Sequence, residues 1–315
     1  MGEKINKHDT NKGRIRINML NFLPSVLVGI IAFSLLVLNV LFWPTLLFVV
    51  SILKFLLPVP PLRRVFDVIL LWFAENWIAC NSAWMNLTQK TQWDVEGVTG
   101  LNYKGWYLIS SNHQSWVDIF VMQHLLNRRA PFMKFFMKSQ LIWVPIMGVA
   151  WWALDFPFLH RHSSEYLKKH PEQKGKDLEI TRKACAKFAH RPTGVMNFLE
   201  GTRFTKAKHA RQKSPYRYLL RPKAGGIALA LDALGDKFHC LLNITIVYPD
   251  GIPTLWEFLC GKVKKIIVRM EQVEVPQQLM HGDYEGDEAY RAEFQKWVQQ
   301  LWQEKDLQIQ ALLKK

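Results

Sequence analysis

Four cysteines occur in 315 residues, and none of Cys80, Cys185, Cys240 and Cys260 stands in a C-x-x-C pair or beside a matching pair of histidines. That spacing indicates neither a zinc site nor a disulfide framework, and it suits a reducing cytoplasm. His160 and His162 flank Arg161, but no third ligand is spaced to complete a metal site, so no metal or other cofactor is expected. Acidic residues are also short: 26 Asp plus Glu face 41 Lys plus Arg, for a net charge of +15. Such an excess suggests anionic partners, whether a phospholipid surface, an acidic substrate or nucleic acid, without choosing among them. A G-x-S-x-G elbow is missing too, which argues against a serine hydrolase.

Charge of either sign is absent from Ile17 to Leu53, a stretch of 37 mostly apolar residues. The run is too long for a signal-peptide core and ends without a small-residue cleavage site, so it is expected to stay in the protein. About 20 residues cross a hydrocarbon core, so the run fits one long tilted helix or two minimal ones. Basic residues precede it (Lys12, Arg14, Arg16) and follow it (Lys54, Arg63, Arg64), which favours both ends in the cytoplasm. A membrane hairpin broken near Asn39 and Pro44 is therefore expected. The chain divides into a basic tail (1–17), a membrane-embedded helix or hairpin (18–57), an interfacial helix (62–90) after the breaker PVPP, and one large domain (91–315). The tryptophans of the interfacial helix, Trp77 and Trp84, suit a membrane interface and core packing equally.

From Thr91 onward short strand-like runs alternate with helical ones, the signature of an α/β sheet. Strands are expected over Trp93–Val98, Trp106–Ser111, Pro131–Met137, Asp155–His160, Thr193–Asn197, Cys240–Tyr248 and Lys264–Val275, with a terminal helix from about Asp287. Ligands in such sheets bind at the carboxyl ends of strands.

Two motifs fall at such ends. In Asn112–Asp118, NHQSWVD, residues five apart do not share a helical face. His113 therefore meets Asp118 only if it lies in the turn, with the aspartate one turn inside the helix. The carboxylate then fixes one ring nitrogen and leaves the other as a general base towards a hydroxyl. The same heptapeptide also fits a strand-end histidine bonded to backbone and a first-turn aspartate favoured by the helix dipole. In Phe198–Arg203, FLEGTR, a turn at Gly201 would offer Glu200 to hydroxyls and Arg203 to phosphate, with the N–H groups around Gly201 and Thr202 facing an oxyanion. A local Glu–Arg ion pair is the plainer alternative. From Arg203 to Lys223 there are eight basic residues and no acidic one, in a run read as a basic loop with an aromatic anchor. Lys223, in PKAGG, is a candidate phosphate contact.

NHQSWVD, FPFLHR ending at Arg161, FLEGTR and LNITIVYP ending at Pro249 resemble, in order and spacing, four blocks of the lysophosphatidic acid acyltransferase (1-acylglycerol-3-phosphate acyltransferase) family. The resemblance runs from Trp93 to Pro249 and looks closest to the bacterial inner-membrane probable acyltransferase branch. It implies a mixed, largely parallel sheet flanked by helices, the glycerolipid acyltransferase fold. It also implies acyl transfer from a thioester of acyl carrier protein or coenzyme A to a lysophospholipid hydroxyl, on the cytoplasmic side of an anionic inner membrane. Lys138 matches the lysine of the family's K-x-x-L block, and Arg161 matches the arginine that helps hold the acceptor's phosphate. Leu199 departs from the pattern, standing where most members have proline. Nucleic acid is not among the implied partners. The alternatives are an acyltransferase for another lysophospholipid, a hydrolase using Ser110, Ser111 or Ser115, and a non-catalytic membrane-anchored binding module built on the basic run.

Overall fold

The computed structural model describes residues 20, 22–57, 59–159, 183, 185, 191–284 and 286–314. Its N-terminal part is a pair of helices, α1 (Ser25–Leu56) and α2 (Pro60–Thr88), packed along each other. α1 does not break at Asn39 or Pro44, contrary to expectation; it runs to Leu56, and α2 begins at Pro60. Asn39 is tolerated in the apolar run because it is buried and donates to Asn81 Oδ1 (2.7 Å) and to the Trp77 carbonyl (3.1 Å) of α2. The hairpin is thus made by α1 with α2, and not within 18–57. The prolines of PVPP serve as a start signal: Pro60 and Pro61 occupy the first positions of α2, where the missing N–H costs no helical bond. Trp84 is core, packed edge-on to Phe120 and Phe258, whereas Trp72 of the same helix is exposed.

With about 1.5 Å per residue, α1 is about 48 Å long. Both of its ends touch the remaining domain. At one end Gly29 is pressed against Trp256 and Cys260. At the other, Lys54 bridges Asp67 of α2 (2.5 Å) and faces Asp155 (3.8 Å). Between them Leu47 packs with Ala150 and Leu154.

The domain is built on a six-stranded sheet in the order β1 (Gln92–Glu96), β8 (Lys265–Val273), β7 (Cys240–Val247), β2 (Tyr107–Ser111), β6 (Gly194–Phe198), β3 (Met133–Phe135). Every neighbouring pair is parallel except β7 with β8, so the sheet is mixed and largely parallel, as the resemblance implied. β2 and β7 are buried along their whole length, which explains why both are mostly apolar, with only Ser110, Ser111, Asn243 and Thr245 as exceptions. Helices cover both faces. One core holds α3 (Val117–Leu126) with Trp84 and α7 (Leu255–Leu259); the other holds α6 (Gly225–Leu234) and the terminal helix α8 (Glu288–Leu313).

The expected strand Pro131–Met137 is shorter than read, and the expected strand Asp155–His160, whose last residue lies outside the described residues, starts later than read. The first is β3 followed by β4 (Met137–Lys138), and the second is β5 (Phe158–Leu159), paired with β4 in a separate two-stranded sheet. Between β4 and β5 lie a 3₁₀ turn (Ser139–Trp143) and α4 (Met147–Ala153). The basic run is not all loop. It contains α5 (Lys206–Gln212), capped by Thr205, whose hydroxyl accepts from Lys208 N at 3.2 Å, and ended by Lys213 at φ +46°. Tyr216 is its buried anchor.

Candidate active site

β2 ends at Ser111 and α3 begins at Val117, so the intervening turn carries His113 past the carboxyl edge of the sheet. Asn112 fixes that turn: its side chain donates to the Ile246 carbonyl (2.8 Å) and accepts from Ile246 N (2.9 Å), stitching it to β7. His113 Nδ1 lies 2.9 Å from Asp118 Oδ2. The aspartate sits in the first turn of α3, as the spacing required. Its Oδ2 also accepts from Gln114 N (2.6 Å) and Ser115 N (2.9 Å), while Oδ1 accepts from the Tyr248 hydroxyl (2.6 Å). A carboxylate oxygen in this position accepts the proton on Nδ1 and so selects that tautomer. The imidazole stacks on Phe198, with centroids 3.8 Å apart and planes 13° from parallel. Nε2 is left as the basic nitrogen. Tyr248 went unread in the sequence because it lies 130 residues from its partner, inside a strand end that looked purely structural.

The FLEGTR turn is locked onto the same place. Phe204 N donates to the His113 carbonyl (2.7 Å), and Gly201 takes φ +65°, a conformation that glycine adopts without a Cβ penalty. Glu200 corrects its expected role. It is fully buried, and its two oxygens accept from His113 N (2.8 Å) and Leu220 N (3.0 Å), so it braces the histidine's backbone and does not face a substrate hydroxyl or pair with Arg203. Burial pushes its carboxyl up to about 8, against the pull of those two N–H groups. Gly201 N donates to the Phe198 carbonyl (2.9 Å), so that N–H belongs to the turn and is not free for an oxyanion. Leu199, the departure from the family's proline, is buried, and its carbonyl accepts from Lys223 N (2.7 Å).

Three cations surround this turn. The exposed Arg203 places its guanidinium 4.5 Å over the Trp116 ring. Lys208 Nζ bonds Thr202 Oγ1 (2.7 Å) and the Arg203 carbonyl (3.0 Å), so the Thr202 hydroxyl is an acceptor within the turn. The Lys223 side chain lies against Gly201, where an added Cβ would come within 3.3 Å of its ammonium nitrogen. Lys138 is exposed at the end of β4, beside Leu159. Arg161 lies outside the described residues. Lys208 was missed as a contributor because nothing in a run of surface lysines distinguishes it.

The three serines near His113 are not placed as nucleophiles. Ser111 Oγ donates to the Asn112 carbonyl (3.0 Å), Ser115 Oγ donates to the Pro253 carbonyl (2.6 Å), and Ser110 is buried in β2.

The C-terminal helix α8 supports the site from behind. Asp306 accepts from Arg217 N (2.9 Å) and Tyr218 N (2.8 Å), and Trp302 Nε1 donates to the Leu220 carbonyl (2.9 Å). Lys305, wholly buried, donates to the Ile244 carbonyl (2.5 Å) of β7, and burial lowers its ammonium to about 7. A continuous path therefore runs from α8 through Leu220 and Glu200 to His113. The sequence offered α8 only as packing or membrane contact.

The family model described as Acyltransferase matches residues 92–249. The chain is 26% identical over 182 residues to mouse (Mus musculus) 1-acyl-sn-glycerol-3-phosphate acyltransferase gamma, covering 54% of this chain and 43% of that protein. It is 26% identical over 212 residues to chicken (Gallus gallus) lysocardiolipin acyltransferase 1, covering 63% and 52%. The chain thus spans about half the length of the curated relatives it matches. In fold it is similar to the crystal structure of the 1-acyl-sn-glycerophosphate acyltransferase PlsC from Thermotoga maritima, with a TM-score of 0.54 and 16% identity over 91% of this chain and 96% of that one. The family model matches half of the chain: the chain belongs to the Acyltransferase family.

Proposed function

We propose that the protein transfers a fatty acyl group from a thioester of acyl carrier protein or coenzyme A to the hydroxyl of a lysophospholipid, 1-acylglycerol-3-phosphate first among them, giving phosphatidic acid. The observation that carries this reading is the 2.9 Å contact between His113 Nδ1 and Asp118 Oδ2, which leaves Nε2 as a base beside a cationic turn. The acceptor hydroxyl gives its proton to Nε2 as its oxygen attacks the thioester carbonyl. Collapse of the tetrahedral intermediate breaks the carbon–sulfur bond, and the departing thiolate takes the proton back from the imidazolium. Asp118 stays ionised throughout and stabilises the imidazolium electrostatically. The cations Arg203 and Lys223, with Arg161 and Lys138 as the family's motifs imply, suit the acceptor's phosphate, for which arginine's planar fork is well shaped.

The reading extends to place: a bacterial inner membrane, with the site on the cytoplasmic side. α1 is apolar and long enough to cross a bilayer. Yet it is flanked by the domain from Gly29 to Lys54, so we place the α1–α2 hairpin within one leaflet, both ends returning to the same side.

The test is purified protein with a panel of lysophospholipids and labelled acyl donors, products being identified by mass spectrometry. His113→Ala should lower turnover by about 10²- to 10⁴-fold, the usual contribution of a general base, while membrane association persists. Wild-type turnover in the variant would refute the assignment. Because the relatives are named for two different acceptors, lysophosphatidic acid and lysocardiolipin belong in the same panel.

A further inference from the structure

From Ser139 to Leu154 the chain carries no charged residue, between Lys138 and Asp155. A segment so apolar ordinarily belongs in a core. Here the 3₁₀ turn Ser139–Trp143 buries none of its residues. Trp143 is 85% exposed, and Ile142, Val144, Ile146 and Trp152 are exposed with it. Scattered surface apolar residues are normal, but a contiguous group with two tryptophans marks an interaction surface.

The segment is also firmly built. Gly148 N donates to the Val144 carbonyl (2.8 Å), and a Cβ on Gly148 would lie 2.0 Å from the Ile142 carbonyl oxygen, so turn and helix are in close contact. Ile146 takes φ +66°, a costly conformation for a β-branched residue that persists only where the surroundings impose it. The exposed side chains are thus presented by a rigid support.

What covers them follows from continuity. The inner face of α4 shares a cluster with α1, in which Leu47 packs with Ala150 and Leu154, and Val50 and Trp151 join them. The adjacent part of α1 exposes Phe48, Val49, Ile52 and Phe55. The two apolar surfaces are therefore contiguous. Tryptophan at such an edge, with Lys138 immediately before the uncharged run, is the composition of a membrane interface.

We propose that Ser139–Leu154 is a second membrane-contacting element, a wedge seated at the boundary of headgroups and acyl chains in the leaflet that receives α1. It sets Lys138, and β5 paired beside it, at headgroup depth, so that a lysophospholipid reaches His113 from the leaflet; this last step rests on the acyl-transfer reading above.

The membrane contact is tested without turnover. In a Cys80→Ser background, which removes the exposed cysteine and leaves three buried ones, Trp143→Cys carries an environment-sensitive nitrobenzoxadiazole label. Glu288→Cys, at a position 90% exposed on α8, is the aqueous control. The labelled proteins are reconstituted into phosphatidylethanolamine–phosphatidylglycerol vesicles. The expected result is blue-shifted emission at 143 with at least twofold stronger quenching by lipid-borne nitroxides than at 288. Equal, solvent-like behaviour at both positions overturns the proposal. A blue shift that lipid nitroxides do not quench also overturns it, since it would mean that a second copy of the chain covers the patch. For substrate entry, Trp143→Asp should lower transfer to vesicle-held lysophospholipid at least tenfold and transfer to a dissolved short-chain analogue less than twofold. Equal losses on both would overturn entry from the leaflet, and no transfer by the wild type would overturn the acyl-transfer reading alone.

Discussion

The Tyr248 hydroxyl donates to Asp118 Oδ1 at 2.6 Å, so the carboxylate that orients His113 is itself held from the neighbouring strand end. Burial, and then the adjacent aspartate, raise the Tyr248 phenol well above its ordinary value, which keeps it a proton donor. Tyr248→Phe removes one hydrogen bond to a charged group, an interaction of about 1.5–3 kcal/mol. Turnover should fall by about ten- to a hundredfold with little change in acceptor KM, as steady-state kinetics would register. Asp118→Asn should cost more, about 10⁴-fold, because an amide can hold the imidazole in the wrong tautomer.

Glu200 gives the fold a pH signature. Its folded pKa of about 8 lies above the ordinary 4.5, so the folded state binds the proton more tightly. Its contribution to stability is full below pH 4.5 and is lost as the pH rises towards 8. Lys305, lowered from 10.5 to about 7, acts in the opposite sense and only at higher pH, its contribution being lost as pH falls from 10.5 to 7. Between pH 4.5 and 7 the glutamate therefore acts alone of the two. Glu200→Gln should remove a downward slope of up to about 1.4 kcal/mol per pH unit there. Denaturant unfolding in detergent at a series of pH values reads that slope.

Asp306→Ala would strip the acceptor from two backbone N–H groups, those of Arg217 and Tyr218, at a cost of about 1–3 kcal/mol. The segment that carries Lys223 would loosen. Acceptor KM should then rise more than turnover falls, a split that distinguishes lost positioning from general destabilisation.

Gly201→Ala places a side chain at φ +65° and pushes its Cβ to within 3.3 Å of Lys223 Nζ. The backbone penalty is about 1–2 kcal/mol. Displacement of Lys223 should weaken phosphate-bearing acceptors in particular. Comparing acceptor KM with that for a neutral monoacylglycerol isolates the effect.

The His113–Asp118 pair was legible because both partners lie in one heptapeptide and the geometry of a strand–helix junction limits how they can meet. Glu200 was placed correctly in its turn but given the wrong neighbours, since the N–H groups that fill its oxygens come from 87 and 20 residues away. Asn39 misled for a similar reason. A polar residue in an apolar run reads as a break until its partner Asn81, 42 residues on, is in view. The sheet itself was readable from alternating strand-like and helical runs, whereas its strand order depends on pairings that no local pattern encodes.

β1 joins the sheet through β8, with Trp93 opposite Ile266, and β8 in turn lies between β1 and β7. As the ribosome works from the N-terminus, the first strand of the domain emerges long before the only neighbour that the described sheet gives it. Gln92–Glu96 must wait, tethered to the apolar hairpin, until β8, which starts at Lys265, has been made. A nascent chain halted at Pro249 would hold all the residues that the family model matches and still lack the strand that joins β1 to the sheet.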